Sequence, residues 1–193
     1  MNKKTVYLFL FDGYSDWEPS YVSVEINKST THQLKTFSVD NKPLKSAGGL
    51  TIQADCVLAH LYPADAEMII IPGGSAWEQG KYREIIPLVT ELNGQHKAIA
   101  AICSGTLLLA NAGLLDTANH TSNADFYLKK LSPTYKGAGR YQQQAVVRDK
   151  NIITAGGVYP VEFAREVFSY LKLMDSVSIE KWFQLYKNGV WVA

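Results

Sequence analysis

The chain has 193 residues, 47% of them hydrophobic, and a formal charge of +1 at pH 7. That length suits one good core rather than two, so a single domain is expected over residues 1–193, with 175–193 a C-terminal helix and tail. Balanced charge without a block of lysines or arginines argues against a nucleic-acid or anionic-lipid partner, and no apolar run is long enough to span a bilayer.

The opening segment, MNKKTVYLFLFDGYSDWE, has a basic tip and a short apolar run that ends in Asp12-Gly13, with acids following instead of a small-residue cleavage site. It reads as a first strand over 5–11 rather than as a signal peptide. Helical character follows at 16–28, with Ser15 or Asp16 as its N-cap, and then a strand at 33–39. Residues 42–53 hold Gly48-Gly49 between β-prone pieces and predict a small hairpin.

Strands at 68–71 (MIII) and 97–102 (KAIAAI) are apolar throughout, as is the first. Uninterrupted apolar strands imply burial on both faces, the property of a parallel sheet covered by helices. Helices are expected at 82–93, 104–112, 124–131 and 160–173, and a second hairpin at 145–154 around Asp149-Lys150-Asn151. After residue 175, Ile179, Trp182, Phe183 and Tyr186 recur at helical spacing, a stripe for the core or a subunit contact. The alternation defines an α/β layered fold with a mostly parallel central sheet.

The chemistry concentrates at Ala101-Ile102-Cys103-Ser104-Gly105, where a buried strand meets a helix. Small residues on both sides of one nucleophile meet the steric requirement of a nucleophile elbow. A thiol at a helix N-terminus is expected to have a lowered pKa. Cys56 lacks that context and reads as structural. Two cysteines far apart give no disulfide framework and suit a reducing cytoplasm.

The strand 68–71 runs into Pro72-Gly73-Gly74, which lets backbone approach a ligand closely. In a parallel sheet this loop and the elbow share the carboxyl edge, so the amides of Gly74 and Ser104 are candidate oxyanion donors and Gly73 a candidate pocket residue. Tyr14, Trp17, Trp77 and Tyr159 each flank a strand end and are candidates to line a pocket for a small-molecule substrate. His32, His60, His96 and His120 are scattered singly with no second ligand at metal spacing, so neither a metal nor another cofactor is expected.

These features, together with Glu18 just after the first strand, Ala112-Gly113-Leu114-Leu115 after the elbow and the run from Val147 to Gly157 (VRDKNIITAGG), resemble the ThiJ/PfpI family of the class I glutamine amidotransferase-like fold. The likeness extends in order from about residue 4 to about residue 172. It implies a flavodoxin-like three-layer sandwich, a homodimer, and catalytic roles for Cys103 and Glu18. Glu18 would contact the sulfur, with Gly74 and the amide after the cysteine as the oxyanion hole. The activities implied are a cysteine hydrolase or amidase or a glyoxalase-like enzyme, with a redox-responsive stress protein or a ligand sensor as alternatives.

The chain departs from that pattern at one function. Protease-like members carry histidine directly after the cysteine, where Ser104 stands here, and other members supply one at the place matched by Asn123. His120 lies three residues earlier and is expected to face away. A Cys-His dyad is therefore not visible, although Asn123 remains a candidate pocket residue.

Overall fold

The structure, a computed structural model, describes residues 3–191. The chain builds β1 (Lys4–Phe9), α1 (Ser20–Lys28), β2 (His32–Ser38), the short strands β3 (Leu44–Lys45), β4 (Thr51–Ile52) and β5 (Cys56–Val57), then β6 (Ala66–Ile71). It continues through α2 (Ile86–Gly94), β7 (Ala98–Ile102), α3 (Thr106–Asn111), α4 (Asp125–Leu131), β8 (Val146–Asp149), β9 (Ile152–Ala155), α5 (Pro160–Leu171) and α6 (Ser176–Asn188).

Seven strands form one sheet in the order β5-β2-β1-β6-β7-β9-β8, parallel except where β8 pairs antiparallel with β9. Every residue of β7 is fully buried. Such a strand needs cover on both faces, and the helices supply it in two packed groups, α1 with α5 and α6, and α2 with α3 and α4. This is the mostly parallel α/β sandwich expected from the apolar runs. Both hairpins also form, β3 with β4 and β8 with β9.

Three local expectations change. The first helix begins at Ser20 with Pro19 as its N-cap and no side-chain cap, so neither Ser15 nor Asp16 serves. Asp16 instead accepts from the Ser46 hydroxyl at 2.6 Å and the Gly48 amide at 3.2 Å, pinning the β3–β4 hairpin to the loop after β1. Cys56 starts the edge strand β5, which pairs with β2 through a register too short to read as a strand in the sequence. The elbow helix is shorter than expected, because a 3-10 turn over Cys103–Gly105 precedes α3.

The stripe on α6 packs within the chain. Trp182 meets Phe168 at 4.7 Å and Tyr21 at 5.7 Å between ring centroids, and the Arg165 guanidinium lies 3.9 Å from the centre of the Phe183 ring. Among the described residues, no helix is long and apolar enough to cross a membrane.

The site is positioned by how tightly the ends of β6 and β7 abut. A Cβ on Gly105 would lie 2.6 Å from the Ile71 carbonyl oxygen and 2.8 Å from that of Pro72. Backbone cannot yield as a flexible side chain would. Gly105→Ala is therefore expected to destabilise the fold by about 1–3 kcal/mol, the usual cost of overpacking; an unchanged urea midpoint would contradict this packing.

Candidate functional site

The elbow holds Cys103 at φ 60°, a left-handed backbone conformation that non-glycine residues rarely adopt. The surroundings enforce it. The Thr106 hydroxyl donates to the Cys103 carbonyl at 2.6 Å and pairs with the Ser122 hydroxyl at 2.7 Å, tying the elbow to the segment before α4. The sulfur is thereby turned toward Glu18, Asn123 and Gly157.

Glu18 has no exposed surface, and its Oε2 accepts the Gly73 amide at 2.6 Å. Its Oε1 is buried without a hydrogen bond of normal geometry, facing the side chains of Cys103 and Ser15. Gly73 is the spacer between carboxyl and thiol: a Cβ there would lie 2.9 Å from both Glu18 Oε1 and Cys103 Sγ. Only glycine permits that arrangement. Gly73 therefore does not line the cleft, as expected of it from the sequence, but makes room for the two groups that do.

Burial raises the Glu18 carboxyl to about 7, against the lowering effect of the Gly73 amide and the Cys103 side chain. Burial also raises the Cys103 thiol, to about 11, with the Glu18 charge adding to it; Asn123 and the Ser104 amide act the other way. The expected lowering of the thiol pKa is thus corrected. The six-residue α3, entered through a 3-10 turn, does not outweigh a dry site with a carboxylate beside the sulfur. A protonated Glu18 removes that repulsion, so ionisation of one group disfavours ionisation of the other.

Asn123 is oriented from both ends. Its Oδ1 accepts the Gly157 amide at 2.9 Å, which leaves Nδ2 donating to Cys103 Sγ at 3.4 Å. Gly157 approaches the sulfur so closely that a Cβ on it would lie 2.6 Å away. The role of Gly157 was not visible in the sequence, because a Gly-Gly pair after a strand ordinarily marks only a turn.

The two amides expected as oxyanion donors are placed differently. The Ser104 amide is directed at the sulfur. The Gly74 amide, however, donates to the Ser104 hydroxyl at 2.8 Å, and that hydroxyl donates back to the Gly74 carbonyl at 3.0 Å. Gly74 is thus a corrected assignment: the serine side chain occupies its donor. The same hydroxyl meets Tyr127, whose own hydroxyl donates to Glu78 Oε1 at 2.8 Å. Burial raises the Tyr127 pKa, with Glu78 adding to it. Neither Tyr127 nor Glu78 was singled out in the sequence, where only the helical position of Tyr127 four residues after Asn123 hinted at it.

No histidine reaches the sulfur among the described residues that surround it. His120 is fully buried, donates from Nδ1 to the Ala118 carbonyl at 2.8 Å and accepts the Tyr135 hydroxyl at Nε2 at 2.7 Å. Both ring nitrogens are used, and burial lowers its pKa. No His, Cys, Asp and Glu cluster suited to a metal occurs among the described residues.

A cleft of ≈ 470 Å³ opens above the sulfur. Glu18, Cys103, Asn123 and Gly157 line it, Ser122, Gln143, Gln144, Ala145 and Gly156 complete its walls, and Trp17, Val158 and Tyr159 stand at its mouth. Tyr159 is where the sequence put it. Tyr14 and Trp77 are not: Tyr14 packs on Phe11, and Trp77 donates to the Pro72 carbonyl at 2.9 Å while its ring packs at steep angles against Phe9, Phe11 and Tyr82. Their size drew them into the core beneath the β6 loop, where burying an aromatic ring stabilises most.

A sheet of this order with a nucleophile elbow beside a buried glutamate defines an α/β protein of the cysteine-elbow class. The sequence profile of the DJ-1/PfpI family matches residues 4–170, and the chain belongs to that family. It is 36% identical over 195 residues to a Bacillus subtilis protein named "Uncharacterized protease YoaZ", covering 97% of this chain and 93% of the other. It is 27% identical over 112 residues to the Thermococcus kodakarensis "Deglycase TK1284", covering 58% of this chain and 67% of that one. Among solved structures, the thiJ/pfpI family protein from Bacillus anthracis superposes with a TM-score of 0.91 at 31% identity, over 98% of this chain and 93% of its own.

The electrostatics carry a direct test. Glu18→Gln removes the carboxylate charge, so the Cys103 pKa falls and alkylation by iodoacetamide at pH 8 accelerates by about tenfold, one pKa unit, with the whole pH–rate profile moved to lower pH. The folded Glu18 carboxyl titrates above its unfolded value of 4.5, so the wild type loses roughly 3 kcal/mol of this contribution as pH rises from below 4.5 through about 7. The Gln variant lacks that slope. A slower Gln variant at pH 8, or equal pH slopes in urea unfolding, would reject the assigned coupling.

Proposed function

We propose that this protein is a glyoxalase-like enzyme that isomerises and hydrates a small α-oxoaldehyde through Cys103, with Glu18 as its acid and base. The observation that carries the reading is a buried carboxyl near pKa 7 that faces the thiol across the Cβ-free side of Gly73. A group with that pKa holds and releases a proton at neutral pH, which is the optimum for general acid–base catalysis. The names of relatives include both proteases and deglycases, and the site's chemistry favours carbonyl work over amide hydrolysis.

The steps follow from the placement of the Glu18 carboxyl beside the Cys103 thiol. The sulfur bonds to the aldehyde carbon, and the thiol proton passes by way of Glu18 to the aldehyde oxygen, giving a hemithioacetal. The Glu18 carboxylate then takes the proton from that carbon, and the C–H electron pair forms the C=C bond of an enediolate as the neighbouring carbonyl oxygen becomes its oxyanion. Return of that proton to the neighbouring carbon, with the hemithioacetal hydroxyl proton passing to the oxyanion, leaves a thioester of a 2-hydroxy acid. Water cleaves the C–S bond, restoring the thiol. One carbon is oxidised and its neighbour reduced, so no external oxidant or reductant enters. Asn123 Nδ2 and the Ser104 amide are the donors for negative charge at sulfur or oxygen.

Amide cleavage ordinarily relies on a histidine beside the cysteine to protonate the departing amine, and the acid here is the carboxyl of Glu18 instead. Asn123 is locked with its donor toward the sulfur and holds no transferable proton at neutral pH. The proposal includes the homodimer that the resemblance implies and a cytoplasmic setting. Methylglyoxal is expected to be converted to its 2-hydroxy acid, with Cys103→Ala abolishing turnover and Glu18→Gln lowering kcat by about 10²–10⁴-fold. Turnover retained by Cys103→Ala, or wild-type cleavage of a chromogenic amide with methylglyoxal untouched, would overturn it.

A second reading rests on Glu18 Oε1, which is buried without a hydrogen-bond partner beside the sulfur. A protonated carboxyl there could donate to an oxygen of a cysteine sulfinic acid, making the site redox-responsive. Peroxide titration followed by peptide mass spectrometry is then expected to stop at the sulfinic acid on Cys103; a Cys103 that stays reduced while Cys56 oxidises excludes this reading.

A further inference from the structure

The cleft that rises from Cys103 has a composition unlike the ordinary surface. Among the described residues, no lysine, arginine or histidine lines it, and Glu18 is its only carboxyl. A negatively charged substrate would lose its water without finding a cationic partner, and would meet the Glu18 carboxylate at the reacting end. Burying an unpaired anion costs several kcal/mol even where the protein relaxes around it.

The mouth has the opposite character. Trp17 is 54% exposed and Val158 is 80% exposed, with Tyr159 at 36%, and all three border this one opening. Scattered exposed apolar residues need no explanation, but a group gathered at the rim of a reactive cleft marks a binding surface. Gln143 and Gln144 add uncharged donors and acceptors to another wall. Size points the same way. A three-carbon oxoaldehyde with five heavy atoms occupies on the order of 100 Å³ at the packing of liquid water, whereas the cleft measures ≈ 470 Å³.

We infer that the substrate carries no negative charge and bears a bulky, apolar, flat-sided group next to its reacting carbonyl, seated against Trp17, Val158 and Tyr159. The inference deepens the proposed carbonyl chemistry and rests on that reading for the carbonyl, while the preference for a neutral apolar group rests on the cleft alone. Aryl oxoaldehydes fit this description; glyoxylate and phosphorylated sugars do not.

The test separates the two ideas by using thiol alkylation, which needs no turnover. Cys103 in the intact protein is treated with N-phenyl iodoacetamide and with iodoacetate, each rate is read at the Cys103 peptide by mass spectrometry, and the ratio is divided by that for free N-acetylcysteine. A normalised ratio near 100 is expected, in the range a hydrophobic pocket discriminates, and Trp17→Ala should lower it by about tenfold. A normalised ratio below about 10, or one that Trp17→Ala leaves unchanged, overturns the inference. The turnover arm compares phenylglyoxal with glyoxylate: kcat/KM is expected to favour phenylglyoxal by the same order, and equal values overturn the preference. Selective alkylation without turnover of any oxoaldehyde would uphold the neutral apolar cleft while removing the proposed isomerisation.

Discussion

Everything at this site depends on the close approach of two strand ends, the terminus of β6 at Ile71–Gly73 and the elbow at Cys103–Gly105. Gly105 brings the elbow onto the β6 carbonyls, and Gly73 leaves a gap only as wide as a missing Cβ. Into that gap the loop after β1 delivers the Glu18 carboxyl, held by the Gly73 amide. Three neighbouring parallel strands, β1, β6 and β7, thus contribute an acid, a spacer and a thiol at one edge. A parallel sheet collects such residues at its carboxyl edge because all its strands end there together.

The same dryness that holds the two groups sets their chemistry. Burial disfavours charge on either, and a charge on one raises the cost of charge on the other. The pair therefore titrates as coupled groups, with the thiol held protonated rather than as a ready thiolate. Asn123 and the Ser104 amide soften the cost at the sulfur without supplying a proton acceptor.

Side-chain replacements around the sulfur reinforce that bias. Where a histidine would stand after the cysteine, Ser104 turns its hydroxyl onto the Gly74 backbone and Tyr127, so it braces the loop. At the second position Asn123, fixed by Gly157, presents a donor. His120, three residues before Asn123, is consumed by Ala118 and Tyr135 in the core. Glu18 is the carboxyl that stands beside the sulfur.

The apolar runs of β1, β6 and β7, the small residues around Cys103 and the Gly73-Gly74 pair were enough to specify the sandwich, the elbow and the edge at which the site forms, since periodicity and small-residue spacing act locally. Glu18 stands out only through resemblance to the family, because an acid after a strand is ordinarily solvated. The fate of Tyr14 and Trp77 was illegible: a large aromatic near a loop packs inward or lines a mouth according to neighbours far away in sequence, here Phe9, Phe11 and Tyr82. The chain by itself determined which groups are available for chemistry. Tertiary structure alone decided their protonation, the capping of the Gly74 amide and the uncharged walls of the cleft, because desolvation and hydrogen-bond partnership arise only when distant segments close around the same atoms.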